Sequence, residues 1–122
     1  MSSYLNQNKM TFKERLSFHV GFSVAVQAKG FSSQPGLLQK VGTQFFKINN
    51  QYFSSSTVDH ISLLGFEPKV TGELVHFRSI TKGNFTAKLI RTGFDFVEII
   101  MNNSNADWQL IPLNKIISLE KR

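Results

Sequence analysis

Cysteine is absent from this chain of 122 residues. Disulfide staples and thiolate metal sites are therefore excluded. Proline occurs three times and glycine eight times, so each reads as local punctuation. Acidic residues number eight against fourteen Lys and Arg, which leaves a net charge of +6. No apolar run approaches the ~20 residues of a membrane-spanning helix. Residues 1–10 lack the apolar core of a secretory signal, so the expectation is a protein made in the cytoplasm without a signal peptide. His19, His60 and His76 stand at no metal-ligand spacing. No G-x-S-x-G elbow and no glycine-rich phosphate loop occurs. Asp95 and Glu98 have opposite parity along one strand and form no carboxylate pair. These absences point away from an enzyme, and no catalytic, metal-binding or cofactor-binding residue is assigned.

What is present is a repeat. Residues 36–48 read as strand, tight turn, strand, with the turn at Gly42 and Thr43. Residues 87–99 read the same way, with the turn at Gly93 and Phe94. A shift of 51 positions lays residues 21–48 on residues 72–99 without a gap. Gly21 falls on Gly72, Leu38 on Leu89, Gly42 on Gly93, Phe45 on Phe96 and Ile48 on Ile99. Matched turn glycines in register with matched apolar residues indicate two copies of one small supersecondary unit. Each copy alone would have a marginal core, so the two are expected to share an interface.

In chain order, residues 1–10 read as a flexible tail. Thr11 and Glu14 have the spacing of a capping box and predict a short helix through about Ser17, with Phe12 and Leu16 on one face. Strands are predicted at 20–28, 37–41, 44–49, 52–53 and 58–64. The first unit is thus residues 11–65. Residues 66–72 read as a linker, marked by Pro68. The second unit, 73–122, predicts strands at 73–80, 85–91, 94–101, 108–111 and 115–119. Its hairpin loop at 102–107 is longer than its counterpart. Five extra residues there would align His60–Leu63 with Ile116–Leu119, and Tyr52 would then match Trp108. Short strands at this spacing predict a small antiparallel barrel or sandwich.

One helix and five strands, ending in a tight connection before an I-x-S-I/L strand, resemble the Sm-like (SH3-like barrel) pattern. The wording G-x-L-x-x-V-x-x-D-F-x-x-L … I-P-x-x-x-I-x-S-I is similar to the repeated units of spore coat protein B and related coat proteins of endospore-forming bacteria. Copy one matches at Leu38, Val41, Phe45, Ile48, Val58, Ile61 and Leu63. It carries Gln44 where the pattern has an acidic residue. Copy two matches at Leu89, Asp95, Phe96, Ile99, Ile111, Pro112, Ile116, Ser118 and Leu119. The resemblance implies an all-β fold of two tandem Sm/SH3-like five-stranded units with a short N-terminal helix. It also implies a structural, non-enzymatic role in the spore coat, with other coat proteins or a second copy as partner.

Two surfaces are expected to carry function. Open strand edges recruit other chains by strand addition, and the fourth strands supply Tyr52, Phe53, Trp108, Gln109 and Leu110 as candidates. The alternative is nucleic-acid binding in the cytoplasm. Single strands stack on aromatics beside a basic groove, and Lys40, Phe45, Lys47, Arg91 and Phe96 form that candidate set. The positive charge alone does not decide for RNA or DNA. Residues 1–65 carry six Lys and Arg against two acids, residues 66–122 carry eight against six, and no dense basic tract exists. The rival expectation for Phe45 and Phe96 is that both bury against the other copy.

Overall fold

The computed structural model describes residues 10–64, 72–101 and 107–121. Most of the predicted tail, most of the linker and most of the long hairpin loop lie outside the described residues. Among the described residues, one short helix, α1 (Phe12–Ser17), precedes eleven strands. Thr11 caps α1 as expected: its side chain accepts from the Glu14 N–H, and the Glu14 carboxylate accepts from the Thr11 N–H at 3.0 Å. The strands of the first half are β1 (Ser23–Ala28), β2 (Phe31–Ser32), β3 (Gly36–Val41), β4 (Phe45–Ile48), β5 (Gln51–Ser54) and β6 (Val58–Leu63). Those of the second half are β7 (Glu73–Ser79), β8 (Gly83–Thr92), β9 (Phe96–Ile100), β10 (Trp108–Pro112) and β11 (Ile116–Lys121). One-turn 3-10 segments, Ser55–Thr57 and Leu113–Lys115, precede β6 and β11. The predicted strand at 20–28 begins later, because residues 18–22 continue past α1 in turns bonded Val20 to Ser17 and Phe22 to His19.

All strands pair in one open antiparallel sheet in the order β11-β7-β8-β9-β10-β6-β1-β3-β4-β5, with β2 attached to β1. Spacing had predicted a small barrel or sandwich; the pairing runs instead as a single continuous sheet. Its middle is the β10–β6 ladder, where Trp108 pairs with Leu63, Gln109 with Ser62 and Leu110 with Ile61. Its two ends are β5 and β11.

Pairing partners recur between the halves. Leu38 pairs with Ile48 and Leu89 with Ile99, and both ladders skip a residue before Lys40 and Arg91. The turn glycines are equivalent too: Gly42 donates to Phe45 O at 2.7 Å and Gly93 to Phe96 O at 2.8 Å. Up to β4 and β9 the offset is the 51 residues read from the sequence. Beyond the long hairpin loop it becomes 58. Ala28 pairs with Val58 and Ser79 with Ile116, with a bulge following each. Lys47 pairs with Tyr52, and Glu98 with Leu110. The expected matches of His60–Leu63 to Ile116–Leu119 and of Tyr52 to Trp108 are therefore two residues out of register. Tyr52 corresponds to Leu110, and Trp108 to Asn50. The first hairpin closes at Asn49 and Asn50, both at positive φ, as a type I′ turn requires. The second extends its ladder by one pair, Ile100 with Trp108, before turning.

Alternation along the strands creates two cores. Leu38, Phe46, Ile48, Ile61 and Leu63 lie in the first, with Phe12 and Leu16 of α1. Val75, Phe77, Leu89, Val97 and Ile99 lie in the second. Strands β9 and β10 serve both. Phe96, Trp108 and Leu110 face the first core, while Val97, Ile99 and Ile111 face the second. Burial on both faces explains why nearly every residue of these strands is enclosed.

Candidate interaction surface

Matched positions on the two halves meet opposite fates. Across β3, β4 and β5 one face carries Lys40, Lys47 and Tyr52 in a row, because Lys40 pairs with Lys47 and Lys47 with Tyr52. Phe45 shares this face, two residues from Lys47. The 51- and 58-residue offsets place Arg91, Glu98, Leu110 and Phe96 at the corresponding points of β8, β9 and β10. In the second half α1 covers that face. Phe12 packs edge-on to Phe96 at 6.3 Å. The Phe12 N–H donates to Asp95 Oδ1 at 2.6 Å, and the Phe94 N–H to Met10 O at 2.8 Å.

A buried carboxylate locks the cover in place. Arg15 donates from Nε and Nη2 to the two oxygens of Glu98, both at 2.8 Å. Trp108 Nε1 donates to Glu98 Oε2 at 2.7 Å, and Arg91 Nε lies 3.2 Å from Oε1. The Arg15 guanidinium also stands over the Trp108 ring at 5.3 Å. Glu98 is fully buried, so these donors are what make a charge tolerable there. The arrangement is a structural clasp with its acceptors filled. Two signals in the sequence point to it. Arg15 lies three residues after Phe12, on the helix face that packs inward, and Glu98 reverses the charge of its counterpart Lys47.

In the first half no described helix covers the same face. Phe45 is 51% exposed and Tyr52 58% exposed, whereas Phe96 and Leu110 are at 0%. The Lys47 ammonium sits 5.5 Å above the Tyr52 ring. A groove of about 350 Å³ runs past Lys40, Thr43, Phe45 and Tyr52. A second, of about 480 Å³, lies between the halves and is lined by Phe12, Thr43, Phe45, Ser55, Asp95 and Leu113. The strand edge of β5 is also open, since β4 is its only ladder partner among the described residues.

The expected surface residues thus separate into two groups. Lys40, Phe45, Lys47 and Tyr52 come together on one exposed face. Phe53 is half-buried, stacked on Phe46 at 5.8 Å. Trp108, Gln109 and Leu110 are not an exposed edge: β10 is paired on both sides, by β9 and β6, and all three are buried. Arg91 and Phe96 also leave the proposed nucleic-acid surface: Arg91, though part-exposed, is paired to Glu98, and Phe96 lies in the core. The expectation that Phe45 and Phe96 both bury against the other copy holds for Phe96 alone.

The remaining polar cluster sits at the seam. Lys82, in the turn between β7 and β8, lies with Nζ 3.0 Å from His60 Nδ1 of β6. Asp59 pairs with Lys115 at 3.5 Å. Burial, followed by the charge of Lys82, lowers the His60 pKa to about 4 against the opposing pull of Asp107 and Asp59. Burial also lowers Lys82. His19 donates from Nε2 to Leu64 O at 2.9 Å, and burial lowers its pKa. Among the described residues no three His, Asp or Glu side chains are placed to hold a metal ion, and no helix is long and apolar enough to cross a membrane. No family model, curated protein or solved structure matches the chain.

Proposed function

We propose that the chain is a structural protein of the spore-coat type, built from two tandem Sm/SH3-like five-stranded units and acting through protein–protein contacts without catalysis. The observation that supports this most is the bare face and edge at β5. A surface that is closed over by α1 in one half is left open in the other, with Phe45 and Tyr52 exposed. Contiguous exposed aromatics beside an unpaired strand edge mark an interaction site. The recurrence of ladder partners at fixed offsets supports the two-unit reading. The test is incorporation into spores of an endospore-forming host. The tagged chain is expected to fractionate with the coat, and a Phe45→Ala, Tyr52→Ala variant to remain folded by circular dichroism yet be lost from it. Absence of the wild-type chain from purified coats would defeat the proposal.

One observation favours a second reading. Lys40 and Lys47 flank Phe45 and Tyr52, which is the composition of a stacking platform for single-stranded nucleic acid. On that reading, oligonucleotide affinity measured by fluorescence anisotropy falls steeply between ~50 mM and ~200 mM salt. It is also lost in Lys40→Ala, Lys47→Ala. Binding that meets both conditions, in a chain that does not enter spore coats, would replace the first reading.

A further inference from the structure

We infer that the open β5 edge is docked by β11 of a second copy of this chain, head to tail. The inference rests on the reading of the chain as a contact-forming structural protein and names the contact and the partner. Its template is internal. The β10–β6 ladder joins the fourth strand of the second half to the last strand of the first half. Under the 58-residue offset, β5 is the counterpart of β10, and β11 is the counterpart of β6. Among the described residues, the two strands that end the sheet order are therefore the counterparts of the two that this ladder joins inside the chain. They lie at opposite ends of the strand order, so one copy presents both partners of a contact it already makes once.

The template fixes a register. Leu110 with Ile61 becomes Tyr52 with Leu119 of the second copy. Gln109 with Ser62 becomes Gln51 with Glu120. Backbone geometry agrees. Ile48 and Gln51 close the two-residue hairpin, and such a closing pair exchanges both of its backbone bonds within the hairpin. Tyr52 then points its N–H and C=O away from β4, toward the open edge. Each edge carries one large exposed hydrophobic side chain, Tyr52 at 58% and Ile117 at 60%. A contact between unlike edges does not close by two-fold symmetry. It gives a ring or an open series, depending on the rotation between copies.

The absence of cysteine makes the register directly testable in the full chain. Gln51→Cys combined with Glu120→Cys is expected to give a ladder of interchain disulfide oligomers under mild oxidation. The pair sits at a position where the strands approach closely enough for a disulfide. Gln51→Cys with Ser118→Cys, displaced by two residues, is expected to cross-link poorly. Tyr52→Pro removes the outward donor of an edge strand and should leave the chain monomeric by analytical ultracentrifugation. If that variant does not fold, the cysteine pairs alone decide. A wild-type chain that stays monomeric at high concentration and a double-cysteine chain that gives no oligomer would overturn the inference. So would efficient dimer formation by Gln51→Cys alone, which would mean β5 pairs with itself. In either case a chain that still enters the coat leaves the structural reading standing, whereas a chain that associates head to tail but never enters the coat removes that reading and keeps the contact.

Discussion

Strands β5 and β10 hold the same place in their halves of the sheet, yet one is an edge and the other is interior. The difference begins with what covers them. Helix α1 packs between the core of the first half, which takes Phe12 and Leu16, and the outer face of the second, through Phe12 on Phe96 and Arg15 on Glu98. The second half has an interior where the first has a surface: Glu98 stands at the point matched by Lys47, Leu110 at that of Tyr52, and the buried Phe96 at that of the exposed Phe45. The comparison teaches that recurring ladder partners do not imply a recurring surface: similarly paired strands carry unlike faces once α1 and the first core cover one of them.

The largest effect expected from breaking this comparison is at Glu98. Glu98→Ala leaves Arg15 buried and without its carboxylate, and removing one member of a buried pair costs about 3–5 kcal/mol. The matched change Lys47→Ala alters an exposed face and should stay within about 0.5 kcal/mol. Urea denaturation of the two variants measures the gap; equal midpoints would show that α1 does not clasp the second half.

A close second is the phenylalanine pair. Phe96→Ala empties a fully buried site and should cost about 3–5 kcal/mol, while Phe45→Ala stays within about 0.5 kcal/mol. Ile48→Ala and Ile99→Ala are the control, because both are buried at matched points. Each should cost about 2–5 kcal/mol, and a midpoint unmoved in either would contradict the shared core geometry.

How much of this was legible follows from the range of each interaction. The matched turns were readable because Gly42 and Gly93 act locally. A Cβ on Gly93 would stand 1.9 Å from the Phe96 ring, and one on Gly42 would stand 3.0 Å from Phe45 O. The burial of Leu38, Phe46, Ile48, Leu89, Val97 and Ile99 was readable from alternation. The true register of the last strands was not. Offsets of 56 and 58 have the same parity, so a slip of two keeps every apolar residue on its face, and the I-x-S-L similarity drew the alignment to the wrong one. Which outer face α1 would cover was harder to read, because both halves offer an aromatic at the matched point, and the difference lies in Glu98 and Asp95 against Lys47 and Gln44.

A smaller effect is expected where α1 meets the second half through one backbone bond. Asp95 accepts from the Phe12 N–H at 2.6 Å, supplementing the Thr11 cap at the helix start. Asp95→Ala should cost about 1–2 kcal/mol, in the range of lost helix caps. Its counterpart Gln44 makes no corresponding contact to α1 among the described hydrogen bonds, so Gln44→Ala should be neutral by the same thermal melt. A neutral Asp95→Ala would mean that the helix is held without this bond, by Arg15 on Glu98 and the packing of Phe12 and Leu16.

The most graded effect lies at the seam. His60 of β6 faces Lys82, with Asp59 paired to Lys115 nearby and Asp107 adding a smaller attraction. Its counterpart on β11 is Ser118, at the open edge. Burial and the neighbouring ammonium hold the His60 pKa near 4, below the ordinary value of about 6.5 in an unfolded chain. Between these values the unfolded state binds more protons, so stability rises with pH across that interval. Stability should therefore decline as pH falls from about 6.5 toward 4, and His60 should add no further slope below that. His19 is also lowered by burial and contributes in the same direction, so the variant to compare is His60→Gln with His19 intact. It should show a shallower decline over the same interval, and its ring carbon resonances in the wild type should titrate well below those of a free imidazole. A His60 that titrates at its ordinary value would mean that the β7–β8 turn does not close over β6, and that the seam is wetter than the β10–β6 ladder requires.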